Sequence, residues 1–159
     1  MKLYFLRHGL AGQRGEWTGN DFDRPLTEGG KERMAREAAT LAKLGLNLDL
    51  IITSPLIRAY QTAEIVAQRL NMAAKLIQDE RLAPGFGAEQ LAQILRAHSD
   101  VNTLMLVGHE PDFSETISHL IGGGRVVCKK GGLACVDMPD PALLTGDLVW
   151  LIPPSVLAL

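Results

Sequence analysis

Short apolar runs alternate along this chain with longer stretches in which apolar residues recur at helical spacing. The first run, Lys2-Leu3-Tyr4-Phe5-Leu6, carries two aromatic residues that favour a pleated, buried setting, and it predicts a strand. Arg7-His8-Gly9 follows at once, and Gly9 lacks a Cβ just where a ligand would approach the backbone. Leu10 to Asp23 is polar and glycine-rich. It predicts a loop anchored by Trp17, either one wall of a site or a mobile surface segment. Thr27 is placed to cap a helix whose buried stripe is Met34, Ala38, Leu41 and Ala42, with Gly45 ending it. Leu48 to Thr53 predicts the second strand. Ser54-Pro55 then predicts a helix start, with Ala59, Ala63, Val66, Ala67 and Leu70 on its inner face.

The same alternation continues. A strand is predicted over Lys75–Gln78, a helix over Ala88–Ala97, and a strand buried on both faces over Thr103–Val107. Pro111 opens a helix to about Ile121, Gly122-Gly123-Gly124 breaks the chain, and two strands follow, near Leu133–Met138 and Leu148–Ile152. Pro153-Pro154 stops the last of them. No repeat or linker interrupts the chain, so one domain over 1–159 is expected. Strand–helix alternation predicts an α/β fold, a three-layer sandwich around one mainly parallel central sheet. His8, the Ser54–Arg58 turn and His109 each follow a predicted strand directly. If those strands are parallel neighbours, all three meet at one sheet edge, where such sheets place their ligands.

Composition narrows the classes. Of the 159 residues 47% are hydrophobic, enough for a proper core. The net charge is −2 and no run of five like charges occurs, which argues against a nucleic-acid or membrane-surface partner. Cys128 and Cys135 have no histidine close by in sequence, so they predict ordinary thiols in a reduced compartment. No apolar stretch approaches a membrane span, and a cytoplasmic protein is expected.

The chemistry lies in four stretches: Arg7-His8-Gly9, Arg24-Pro25-Leu26-Thr27, Ser54-Pro55-Leu56-Ile57-Arg58-Ala59-Tyr60-Gln61-Thr62-Ala63 and Val107-Gly108-His109-Glu110. Arginines and histidines at one sheet edge suit a dianion, because a guanidinium presents a planar fork of donors matched to phosphate oxygens. Neutral imidazole is a competent nucleophile near neutral pH. With these stretches in this order, the chain resembles the histidine phosphatase superfamily from Met1 to about Ile152, and within it the short SixA-type phosphohistidine phosphatases.

The resemblance implies a phosphoglycerate mutase-like fold and a phosphatase needing no metal or other cofactor. It implies that His8 is the nucleophile and passes through a transient phosphohistidine, while Arg7, Arg58 and His109 hold the transferring group. Arg24 is a further donor candidate at the pocket mouth. Longer members carry a glutamate as proton donor in a pattern like Arg-Leu-x-Glu; here the stretch is Arg81-Leu82-Ala83-Pro84, leaving Glu80 and Asp23 as candidates. A missing acid favours a P–N substrate, whose imidazole leaves easily once protonated, over a sugar phosphate. The expected substrate is therefore phosphohistidine on a partner protein, such as a histidine phosphotransfer domain. A small-molecule phosphomonoesterase with the same nucleophile and a non-catalytic phosphohistidine-binding module are the alternatives.

Overall fold

The chain forms six strands: β1 (Lys2–Arg7), β2 (Leu50–Thr53), β3 (Leu76–Gln78), β4 (Thr103–Gly108), β5 (Leu133–Asp137) and β6 (Asp147–Ile152). Five α-helices accompany them: α1 (Glu28–Lys43), α2 (Ile57–Arg69), α3 (Ala88–Ala97), α4 (Asp112–Leu120) and α5 (Pro154–Leu157). The computed structural model describes residues 1–159. All six strands join one sheet in the order β3-β2-β4-β1-β5-β6. β3, β2, β4 and β1 pair in parallel, while β5 is antiparallel to both of its neighbours, β1 and β6. The expected mainly parallel sheet is present.

Alternation along the strands explains the layers, since successive side chains point to opposite faces. Leu3, Phe5, Ile52, Leu104 and Leu106 face one side and pack with Leu91, Ile94, Phe113 and Ile117 of α3 and α4. Tyr4, Leu6, Ile51, Met105 and Val107 face the other and pack with Met34, Ala38, Ala63 and Val66 of α1 and α2. A sheet buried on both faces needs near-continuous apolar strands, which is what β1 and β4 are. No helix is long and apolar enough to cross a membrane.

Thr27 caps α1 as expected, its Oγ1 accepting from Gly30 N at 3.0 Å, and Gly45 ends it with a φ of +67°. One expectation is corrected. α2 starts at Ile57, because the backbone bends at Pro55, Leu56 is extended, and the Ser54 hydroxyl meets His109 and Leu56 N before the helix begins. After Pro153-Pro154 stops β6, Pro154 takes the first position of a short helix, where its missing N–H costs nothing.

Candidate active site

Arg7 of β1 pairs with Gly108 of β4 in a parallel ladder, so the two chains leave the sheet side by side. His8 N donates to Gly108 O at 3.0 Å, extending that ladder by one bond. The His8 and His109 rings emerge at the same edge with centroids 5.3 Å apart. β2 flanks β4 on its other side, and Ser54 N donates to Val107 O at 2.9 Å, which delivers the turn leading to Arg58. His8, Arg58, His109 and Arg24 are all less than a tenth exposed.

The His8 ring is held in one orientation. Its Nδ1 lies 2.8 Å from Gly9 O. A carbonyl can only accept, so Nδ1 carries the hydrogen and Nε2 keeps its lone pair. Burial pushes the His8 pKa down to about 3, the charges of His109, Arg58 and Arg7 add to that, and the Gly9 carbonyl opposes it. Burial likewise takes His109 down to about 4, with Arg58 the next contributor. Both rings are thus neutral at physiological pH. His109 Nε2 lies 2.7 Å from Ser54 Oγ.

Five buried side-chain polar atoms in the molecule lack a hydrogen-bond partner, and three of them are Arg7 Nε, Arg58 Nε and His109 Nδ1. Such atoms are costly when buried, and their concentration here marks a place built for a further polar group. Arg58 Nη1 donates to Asp21 O at 2.8 Å and Nη2 to Asp21 Oδ2 at 3.1 Å. Arg24 Nε donates to Asp21 Oδ1 at 3.0 Å, its Nη1 reaches Gly12 O, and Arg14 approaches Asp21 Oδ2 at 3.5 Å. One carboxylate therefore serves three arginines. Burial alone would raise the Asp21 pKa, but Arg24, Arg58 and Arg14 together hold it down at about 2. Arg7 donates through Nη1 to Cys128 O at 2.9 Å. Lys130 is half-buried beside this group; burial lowers its pKa, and Arg7, Arg24 and Arg58 lower it further.

A family model for the histidine phosphatase superfamily (branch 1) matches residues 3–90, more than half of the chain. The chain belongs to the histidine phosphatase superfamily. It is 41% identical over 139 residues to an uncharacterized protein of Picosynechococcus sp., covering 84% of this chain and 82% of that one. Its fold matches that of the protein histidine phosphatase SixA complexed with tungstate, with a TM-score of 0.87 at 24% identity over 99% of each chain. SixA from Agrobacterium tumefaciens matches with a TM-score of 0.80 at 26% identity, over 96% of this chain and 98% of that one. The sandwich is thus the phosphoglycerate mutase-like fold in its SixA form.

In this superfamily member the Arg58-Ala59-Tyr60-Gln61-Thr62 stretch is also scaffolding. Thr62 Oγ1 accepts from Gly9 N at 3.0 Å and donates to Arg58 O at 2.7 Å, so one hydroxyl ties α2 to the turn that carries His8. Gln61 Oε1 accepts from Leu26 N at 2.9 Å and holds the segment that carries Arg24. The expected anchor of the Leu10–Asp23 loop is corrected. Trp17 is 38% exposed and bonds only to Asn20 O nearby, whereas Asp21 pins the loop to Arg58. Asp21, Lys130 and the second use of Ser54 escaped the sequence reading. Asp21 stood in the motif-bearing region but in a loop without periodicity, three positions before Arg24. Glu80 and Asp23 are exposed and make no hydrogen bond or ion pair with the histidines or arginines of the site. The segment around Pro84 folds onto the body of the protein: Leu82 and Phe86 are buried in the core, and Gly85 N donates to Asp112 Oδ2 at 2.9 Å.

Proposed function

We propose that this phosphatase hydrolyses phosphohistidine on a partner protein, with His8 as nucleophile and Arg7, Arg58 and His109 as the groups that hold the phosphoryl. The observation that carries the reading is the His8 ring, neutral and locked with its Nε2 lone pair free beside the unpartnered Arg7 Nε, Arg58 Nε and His109 Nδ1. Phosphoryl transfer asks a protein for positioning and for charge neutralisation on the equatorial oxygens, and this set offers both. Nε2 of His8 attacks phosphorus as the substrate P–N bond breaks. The bonding pair leaves with the substrate imidazole, which takes its proton from solvent. Water then attacks phosphorus on His8, the Nε2–P bond breaks, and inorganic phosphate departs. The guanidinium groups supply the positive charge that neutralises the equatorial oxygens. The SixA-like fold and the absence of an acid at Pro84 support a substrate whose leaving group needs no placed acid.

The test is a hydrolysis panel run in chelator. Phosphohistidine protein and aryl phosphates are expected to turn over well and alkyl phosphates poorly, about a hundredfold or more apart, the low end of what a general acid contributes. His8→Ala should abolish all turnover. Alkyl esters cleaved as fast as phosphohistidine would move the small-molecule phosphatase reading to first place, and turnover surviving in His8→Ala would remove His8 as nucleophile.

A further inference from the structure

Arg7 reaches only one protein acceptor, the carbonyl of Cys128. That carbonyl lies in the irregular segment between α4 and β5, which begins with Gly122, Gly123 and Gly124, all at positive φ. Ser118 Oγ holds Gly124 O at the start of this segment, and Gly131 N, bonded to Arg7 O and His8 O, ties its end; between them the side-chain hydrogen bonds fall at Cys128, Arg7 on its carbonyl and Ser114 Oγ on its N–H, the latter at 3.0 Å. Ser114 is itself held at two points by the residue after His109. Its N–H donates to Glu110 Oε1 at 2.9 Å and its hydroxyl to Glu110 Oε2 at 2.5 Å. With the hydroxyl hydrogen spent on Glu110, the oxygen is left to accept from Cys128 N. Glu110 also acts on Arg7 through space, favouring its charged form against the burial that opposes it.

We infer that Glu110 and Ser114 are positioning residues for Arg7, acting through the Cys128 backbone to aim its free guanidinium donors at the bound phosphoryl group. The inference rests on the reading of Arg7 as a phosphate ligand. It explains why a carboxylate immediately follows His109 without facing either histidine: its oxygens are both used on Ser114. The Cys128 side chain is buried in the core, and the Ser114 hydroxyl on its N–H sets the tilt of the peptide whose neighbouring carbonyl receives Arg7. An arginine fork matches a phosphate only over a narrow range of orientation, so a small swing of that carbonyl costs affinity.

The experiment is a double-mutant cycle on the full chain, with orthovanadate and inorganic phosphate as probes and melting temperature recorded for each variant. Ser114→Ala and Glu110→Gln are each expected to weaken oxyanion binding about tenfold, the scale of one mis-aimed hydrogen bond to a charged group. In an Arg7→Ala background the same changes should have no further effect, and Ser114→Thr, which keeps the hydroxyl, should restore binding. Equal losses in the presence and absence of Arg7, or losses that follow melting temperature alone, would overturn the positioning role. If Arg7→Ala itself leaves oxyanion binding unchanged, the reading of the site fails first and the inference falls with it.

Discussion

The imidazole of His8 has its protonation set by its surroundings. Free histidine titrates near pH 6.5, and burial takes His8 down to about 3. NMR of the free protein is therefore expected to show no His8 ring titration between about pH 5 and about pH 8, while a bound oxyanion, by stabilising the imidazolium, raises the pKa. A His8 transition near 6.5 in the free protein would contradict the burial seen here. Asp21 invites a second measurement. Its carboxylate takes Arg58 Nη2 and Arg24 Nε, while its backbone carbonyl takes Arg58 Nη1, so the carboxylate competes with any dianion for the same charges. Asp21→Asn should bind inorganic phosphate more tightly, on the order of threefold or more, since the like charge is gone. Weaker binding would show instead that Asp21 aims the guanidinium. At this scale the sequence was legible where a residue type has one good use: Arg7, His8, Arg58 and His109 do gather. It was silent on Asp21, since a carboxylate in a polar loop reads as solvated until a fold brings arginines to it.

Elements carry the site through a few close approaches. The N-terminus of α1 lies so near the Leu10 chain that a Cβ on Gly30 would stand 2.1 Å from Leu10 O. Backbone cannot step aside as a side chain can, so Gly30→Ala should cost roughly 1–3 kcal/mol or more in chemical denaturation and disturb the loop that carries Asp21. Loss of less than about 0.5 kcal/mol would mean that the loop moves freely. Element existence was readable from period and punctuation: α3 spans Ala88–Ala97 as its apolar spacing predicts. Element ends were harder. Ser54-Pro55 has the composition of a helix start, but His109 claims the serine, and a partner 55 residues away leaves no mark on local sequence.

At the scale of the whole molecule, two cores press on one sheet, and a carboxylate is caught beneath the edge. Glu37 is 1% exposed, bonded to Arg33 at 3.2 Å, and packed against Gly131, whose N–H bonds both Arg7 O and His8 O. Burial raises its pKa to about 7 although Arg33 opposes the shift. The folded state then holds this proton more tightly than the unfolded chain, where the group titrates near 4.5. The resulting stability is fully present below about pH 4.5 and is lost as pH rises through about 7. Glu37→Gln should remove that slope, gaining melting temperature relative to the parent at about pH 8 compared with about pH 5. An unchanged difference between the two would mean that Glu37 stays charged throughout. The three-layer order was legible, because the parallel run and the helical stripes each predict it; the pairing of β1 with both β4 and β5 was not, because register is a property of two chains at once. That register has a consequence for how the protein can change over generations. The chains that deliver His8 and His109 are adjacent strands, about 4.8 Å apart, a spacing fixed by backbone hydrogen bonds and indifferent to side-chain identity. Mutation can redraw the Leu10–Asp23 loop, the turn at Pro84 or the segment at Cys128 without altering that ruler. Variation in what is recognised can thus accumulate at the rim while the two chains that carry the imidazoles keep their separation by inheritance of the sheet.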